Sequence, residues 1–251
     1  MSAVRAHEEA RAWDLPDLSL MMLATGCRIG ECLAIGWSEV DLQDASVDVC
    51  WRLVRQTGVG MPTLCSDHVP AGRRVIFHAE NGVIGYGHNA SEDELDPHVV
   101  NASVQPVVLL PFAAIIHHAD SFAIIRSGRL DLGVLGAYEV AANGDFANWK
   151  TAGRVGGGIG GAMDIAANAR RIFIMMEHTT RDGALRLRRT CTLPVTAPGV
   201  VKLIVTDMGV FEPLGEAYRL KEIAPGYNSD EVEAVTEAPL VVDPELAEVR
   251  V

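Results

Sequence analysis

The sequence predicts an α/β domain built on an open, largely parallel sheet with flanking helices. Short, nearly continuous apolar runs recur from about residue 60 onwards, as expected of strands that are buried on both faces. Glycine-rich turns and short helical stretches separate them, which is the alternation typical of α/β folds. The chain of 251 residues is long enough to bury a sizeable core. The runs are RRVIFHAE (73–80), QPVVLLP (105–111), LDLGVLGAYEV (130–140), RRIFIMMEH (170–178) and GVVKLIVTD (199–207).

The two ends of the chain differ from this middle part. Residues 14–26 and 28–40 carry apolar residues at helical spacing and predict two helices. Residues 47–54 alternate loosely and predict a strand, which ends at a turn over 57–60. Residues 237–251 are acidic and lack a helical period, so we expect them to form a loose tail.

Composition excludes several classes of function. The chain has 33 acidic and 21 basic residues, a formal charge of -12, which disfavours binding to nucleic acids and to anionic membranes. The N-terminus has no apolar signal core, and the most apolar stretch, 104–116, is about half a membrane span. The five cysteines form no CxxC pair, so neither a zinc site nor a disulfide framework is indicated. We therefore expect a cytoplasmic protein with reduced thiols.

The most informative segment is HAENGVIG (78–85), in which an apolar strand runs directly into Glu80 and then into a glycine turn. The end of a strand delivers a side chain into the crevice outside an α/β sheet. Gly82 allows a sharp turn and the close approach of a substrate. A carboxylate in this position can serve as nucleophile, base or metal ligand, or can simply make a local hydrogen bond in the turn.

Other residues leave alternatives open. Asn81 either orients Glu80 or is a turn residue that tolerates a positive φ. The glycine-rich run 156–164 fits the GxGxxG pattern of dinucleotide loops, but no acidic residue follows at the ribose position. His117 and His118 suggest metal or acid–base chemistry, yet no carboxylate or cysteine completes a ligand set, which favours a structural role.

HAENGVIG resembles the catalytic signature of the 3-oxoacid CoA-transferases, in their beta subunit, although that family usually has serine where Ala79 stands. The resemblance covers residues 58–236. The departures from the family are Ser127 and Arg129, in a segment that usually reads RGGH, and Glu139, where the family favours glutamine. Further blocks follow in family order: GVGMPTL (58–64), ADSFAIIRSGRLDLGVLGAYEV (119–140), GDFANW (144–149), GIGGAMDI (158–165), MMEHT (175–179), TCTLPVT (190–196) and VTDMGVF (205–211).

The resemblance implies a covalent mechanism. Glu80 would be the nucleophile that attacks an acyl-CoA thioester, and the enzyme would then carry a glutamyl-CoA thioester. The backbone N–H groups of Gly160, Gly161 and Ala162 would contact the thioester oxygen; the alternative is that this segment is a strand-to-helix loop. Asn81 and Gly82 would form an orienting or substrate loop. No metal and no permanently bound cofactor are implied, because coenzyme A is the substrate and a transient covalent group.

The same resemblance implies the substrates and a partner. CoA would move from succinyl-CoA to a 3-oxo acid, with 3-oxoadipate favoured by the wording HHADSF (117–122) and acetoacetate second. The family's active site lies between two different subunits, so a CoA-transferase alpha subunit is implied as the partner in a hetero-oligomer. No contact with nucleic acid or membrane is expected.

The N-terminal part resembles a second family. LATGCRIGE (23–31) and WSEVDL (37–42) are similar to the start of the catalytic domain of tyrosine recombinases, with Arg28 at the first phosphate-binding arginine. The other residues of the recombinase active site are absent from the sequence, so a DNA-binding recombinase remnant is only a remote alternative hypothesis.

We expect the chain to have three parts: a recombinase-like helical fragment with a terminal strand (1–57), the CoA-transferase beta-subunit domain (58–236) and the acidic tail (237–251). A non-functional chimera or a non-catalytic partner is the alternative.

Overall fold

The computed structural model describes residues 40–41, 46–47, 61–70, 72–151 and 160–249 of a chain that divides into two compact units, 1–57 and 58–251. In the first unit, β1 (Val40–Asp41) pairs antiparallel with β2 (Ser46–Val47). Val40 therefore lies in a strand and not at the end of the second predicted helix. Arg28, the remainder of both predicted helices and residues 48–54 of the predicted strand lie outside the described residues.

A mixed sheet of six strands forms the centre of the second unit, in the order β14-β13-β12-β11-β9-β6. The pairs β6–β9, β9–β11 and β13–β14 are parallel, and β11–β12 and β12–β13 are antiparallel. The antiparallel steps follow from connections of only a few residues, which are too short for a crossover. The strands are β6 (Gly133–Leu135), β9 (Ile172–Met175), β11 (Val201–Val205), β12 (Gly209–Pro213), β13 (Tyr218–Ile223) and β14 (Leu240–Glu248).

The described part of this unit also contains two smaller three-stranded sheets. One has the order β3-β4-β5 and is antiparallel, and the other has the order β10-β7-β8. Their strands are β3 (Phe77–His78), β4 (Val83–Asn89), β5 (Val107–Ile115), β7 (Glu139–Ala141), β8 (Phe146–Ala147) and β10 (Leu187–Arg188). A 3-10 helix, Met61–His68, precedes them.

Among the described residues, three short α-helices flank the strands: α1 (His118–Arg126), α2 (Ala162–Asn168) and α3 (Ser229–Ala234). Gly133 of β6 allows α2 to approach closely, because a Cβ there would lie 2.7 Å from Ile165. The start of α3 is fixed by a capping box between Asn228 and Glu231. With buried Ile174, Ile204 and other apolar side chains on the central strands, this arrangement confirms the predicted α/β class.

The prediction of a loose tail over 237–251 is wrong for residues 240–248. These residues form β14, which pairs parallel with β13 at the edge of the main sheet. Leu240 and Leu246 pack against the core, while most of the side chains between them are exposed. The strand was missed because its exposed side chains include Val241 and Val242 as well as Glu245 and Glu248, so no alternation of apolar and polar residues marks it.

A second difference concerns 105–111, whose apolar run predicts a strand buried on both faces. The strand exists as β5, but Leu109, Leu110 and Ile115 are 39%, 43% and 63% exposed. β5 is the terminal strand of its small sheet, so only one of its two edges pairs with a neighbouring strand, which is β4.

Within the described residues, no helix combines the length and apolarity needed to cross a membrane.

Candidate active site

Glu80 lies in a tight turn between β3 and β4. Two backbone hydrogen bonds close this turn: Ala79 N–H donates to the Val83 carbonyl at 2.9 Å, and Gly82 N–H donates to the Ala79 carbonyl at 3.0 Å. Ala79 is buried at 1% exposure, whereas the Glu80 side chain is half-buried. The strand before Glu80 belongs to the small antiparallel sheet and not to the main sheet that the sequence suggested. The carboxylate is therefore presented from a short, hydrogen-bonded hairpin.

Gly82 is required by the backbone of the chain itself. Its φ is +120°, and a Cβ at this position would collide with the carbonyl oxygen of Ile116. The two segments are also joined by the hydrogen bond from Ile116 N–H to the Gly82 carbonyl, at 2.9 Å. The Cβ side of Gly82 is therefore occupied by Ile116, which gives a reason within the chain for a glycine at this position.

Asn81 ties the turn to the loop before β5. Its side-chain amide donates to the carbonyls of Val100 at 2.9 Å and Asn101 at 3.4 Å. The positive φ of the turn falls on Gly82 and not on Asn81. Asn81 Oδ1 is buried and has no hydrogen-bond partner in the described part of the chain. Asn81 thus fixes the backbone next to Glu80 from the side of residues 100–101.

The glycine-rich segment reaches Glu80 through Gly161. A Cβ built on Gly161 would lie 3.2 Å from Glu80 Cγ and 2.7 Å from Phe122 Cζ. Gly160 is exposed, with a φ of +55° and open space around its Cβ position, and Ala162 begins α2. The structure therefore brings Gly161 against the predicted nucleophile and places Gly160 and Ala162 on either side of it.

Two titratable side chains near Glu80 were not singled out from the sequence. Burial lowers the pKa of His78, although the Glu80 carboxylate acts in the opposite direction, and His78 Nε2 lies 2.8 Å from Ser121 Oγ. Burial, with smaller contributions from Glu80 and Cys65, raises the pKa of Tyr86 to about 12. At neutral pH both side chains are therefore uncharged. The position of His78, two residues before Glu80 on an extended segment, was the available signal.

The histidine pair after β5 has a structural arrangement. His117 is the N-cap of α1, and its Nδ1 accepts a hydrogen bond from Ala119 N–H at 3.2 Å. His118 is the first residue of the helix, and its ring packs tilted against the Phe122 ring, with the two ring centroids 4.8 Å apart. No group of three or more His, Cys, Asp or Glu residues suited to a metal ion occurs within the described ranges.

Glu139, where the sequence departs from the family pattern, also has a structural role. Its carboxylate accepts hydrogen bonds from Thr192 N–H at 2.7 Å, from the Thr192 hydroxyl at 2.6 Å and from Leu193 N–H at 3.0 Å. These bonds join β7 to the segment that follows β10. Glu139 therefore anchors a loop.

Comparisons with known proteins agree with the blocks seen in the sequence. The family model described as coenzyme A transferase matches residues 56–234. The beta subunit of the 3-oxoadipate CoA-transferase of Pseudomonas putida is 41% identical over 186 residues, which are 73% of this chain and 86% of that protein. The beta subunit of the succinyl-CoA:3-ketoacid coenzyme A transferase of Helicobacter pylori (strain 26695) is 39% identical over 185 residues, 74% of this chain and 89% of that protein.

A solved structure supports the fold. The acyl-CoA transferase of Escherichia coli O157:H7 matches with a TM-score of 0.54 at 22% identity, covering 70% of this chain. This chain spans only 35% of that longer one. The beta subunit of the acetate CoA-transferase of Escherichia coli K12 is also similar, at 39% identity over 189 residues, 75% of this chain and 86% of that protein. The family model matches residues 56–234, and relatives at 39–41% identity are covered over 86–89% of their length, so the chain belongs to the coenzyme A transferase family.

Proposed function

We propose that this chain is the beta subunit of a transferase that moves CoA from succinyl-CoA to a 3-oxo acid through a thioester on Glu80. The observation that carries the proposal is the proximity of the Glu80 side chain to Gly161, where an added Cβ would lie 3.2 Å from Glu80 Cγ. We propose 3-oxoadipate as the first acceptor, on the wording of 117–122, and acetoacetate as the second. The relatives are named for 3-oxoadipate, 3-ketoacid and acetate substrates at closely similar identities, so they favour none of these acceptors.

The reaction follows from the chemistry of a carboxylate and a thioester. A Glu80 oxygen attacks the carbonyl carbon of succinyl-CoA, the C–S bond breaks, and a mixed anhydride and CoA thiolate form. The thiolate then attacks the glutamyl carbonyl, which releases succinate and leaves CoA on Glu80 as a thioester. The carboxylate of the acceptor acid reverses both steps. One thioester replaces another, so no external energy source is consumed.

Each addition step generates an oxyanion, which needs hydrogen-bond donors that are already in place. The backbone N–H groups of residues 160–162 are proposed for this task, because Gly161 lies against the Glu80 side chain. His78 and Tyr86 are both uncharged at neutral pH, so neither neutralises the attacking carboxylate. Asn81 and Gly82 hold the turn in place through their bonds to Val100 and Ile116.

A CoA-transferase alpha subunit is the proposed partner, and the chain is proposed to be active only with it. The relatives from Helicobacter pylori and Pseudomonas putida are each named as one subunit of an enzyme. The longer Escherichia coli O157:H7 chain, of which this chain spans 35%, is consistent with a larger complete enzyme. Residues 1–57 are proposed to be a segment foreign to the family, a division supported by the family match at 56–234.

The direct test is the intact mass of this chain, co-expressed with a CoA-transferase alpha subunit, after addition of succinyl-CoA. We expect a CoA adduct that is absent in Glu80→Gln and present in Glu222→Gln, which changes an exposed carboxylate on β13. A stable complex that forms no adduct would contradict the proposal and favour a non-functional chimera or a non-catalytic partner. Acceptor choice is tested by the rate at which 3-oxoadipate and acetoacetate each remove the adduct.

A further inference from the structure

Three neighbouring side chains on one face of α1 pack against one another. His118, Phe122 and Arg126 are four residues apart, so they lie in a row along the helix. The His118 ring lies 4.8 Å from the Phe122 ring, centroid to centroid, and the Arg126 guanidinium carbon lies 5.4 Å from the same ring centroid. The Phe122 ring is therefore held between a ring and a cation, which restricts its movement.

Arg126 also joins α1 to α2. Its Nε donates to Asp164 Oδ1 at 2.7 Å, and Asp164 lies in the first turn of α2, three residues after Gly161. Both side chains are partly exposed, so this ion pair adds little to the stability of the fold. It links the first turn of α2 to the side chain that lies over the Phe122 ring.

Phe122 is the residue of α1 that lies closest to the Gly161 Cβ position. The position of a Gly161 Cβ would lie 2.7 Å from Phe122 Cζ, 3.1 Å from its Cε1 and 3.2 Å from Glu80 Cγ. The ring, the glycine and the nucleophile thus meet in a space too small for one methyl group. The neighbouring Ser121 is fully buried and holds His78, two residues before Glu80.

We propose that Phe122 is a positioning residue for the covalent step, and that its ring, held by Arg126 and Asp164, sets the distance between the Glu80 side chain and the backbone of Gly161. This inference rests on the function proposed above. A nucleophile and its oxyanion donors act together only at a defined separation, and a misplacement of about 1 Å can lower a rate about 100-fold. The ring makes no bond to substrate in this role.

The first test is Phe122→Tyr in the complex with the alpha subunit. The added hydroxyl sits on Cζ, the ring atom nearest to Gly161. We expect kcat and the rate of CoA adduct formation to fall at least about tenfold, with KM and the melting temperature nearly unchanged. Phe122→Leu, which shortens the side chain, should also lower kcat. A residue that only packs would tolerate tyrosine, because Phe122 is partly exposed.

The second test is a double-mutant cycle on Arg126→Gln and Asp164→Asn. Each single variant and the double variant should lower the adduct rate by the same factor, about 3- to 10-fold, because each breaks the same link. The matched control is the pair Arg219→Gln and Glu212→Gln, which removes an ion pair of 2.9 Å and similar exposure between β12 and β13. The control pair should leave the rate unchanged.

The outcomes separate the two proposals. If the unaltered complex forms no adduct, the proposed function fails, and this inference fails with it. If the unaltered complex forms the adduct but Phe122→Tyr matches it in rate, the positioning role is wrong and the function stands. Additive losses in the Arg126 and Asp164 variants, or losses equal to those of the control pair, would also overturn the role. A Phe122→Tyr chain that fails to fold leaves the cycle as the deciding measurement.

Discussion

Gly161→Ala is the substitution that challenges the candidate site most directly. The new Cβ would lie 2.7 Å from Phe122 Cζ, whereas ordinary contacts begin at 3.4 Å, so the two groups must separate by about 0.7 Å. Overpacking of this kind costs about 1–3 kcal/mol, and the lower end applies here because the Phe122 ring is partly exposed and can yield. Glu80 Cγ, at 3.2 Å from the same point, is displaced as well.

The expected result is a loss of rate larger than the loss of stability. The new methyl group needs about 0.7 Å of room at Phe122 and about 0.2 Å at Glu80 Cγ, which should slow the formation of the CoA adduct about tenfold. The assay is the time course of the adduct by intact mass, in the complex with the alpha subunit, together with a thermal melt. Gly136→Ala is the control, because its nearest new neighbour, the Met175 carbonyl, lies 3.9 Å away. A full rate in Gly161→Ala, or an equal loss in Gly136→Ala, would refute the reasoning.

Three further predictions concern stability. Burial lowers the pKa of His178 from 6.5 to about 4, so only the unfolded chain binds its proton between these values. The contribution of His178 to the free energy of unfolding should be fully present above about pH 6.5 and fall by about 3 kcal/mol towards pH 4. Thermal melts of His178→Gln across this pH range should not show this fall. Tyr218→Phe removes a buried hydroxyl that donates hydrogen bonds to the Val140 and Arg188 carbonyls. In urea titrations it should lower the free energy of unfolding by about 1–3 kcal/mol. Tyr227→Phe, which changes an exposed tyrosine, is the control and should not lower it. Phe112→Asn should gain up to about 1 kcal/mol in the same titrations, because a fully exposed phenylalanine adopts a φ of +71°.

The sequence was sufficient to predict the fold class and the turn around Glu80. Both follow from local sequence patterns. Apolar runs separated by glycine turns predict the fold class, and a carboxylate directly after a strand predicts the turn. The proximity of Gly161 to Glu80 came only through the family resemblance, because no local pattern joins residues so far apart in the chain. The structure adds the physical reason for that glycine, which is the Phe122 ring.

Long-range contacts explain what the sequence could not predict. Asn81 could orient Glu80 or merely turn the chain, and only the fold shows its amide bonded to the carbonyls of Val100 and Asn101. The β14 strand has no alternation of apolar and polar residues, so only its pairing with β13 shows it. The ion pair between Arg126 and Asp164 joins two helices whose sequences give no sign of each other.

The turn that carries Glu80, the proposed nucleophile, has several of its contacts with the continuous segment 116–126. Ile116 occupies the Cβ side of Gly82 and donates a hydrogen bond to it, Ser121 Oγ lies 2.8 Å from His78 Nε2, and Phe122 lies against Gly161. Residues on both sides of the Glu80 carboxylate are thus held by the end of β5 and by α1, which follow each other directly in the chain. Because such bracing fixes the position of a reacting group without contact to substrate, changes in 116–126 should alter kcat more than KM.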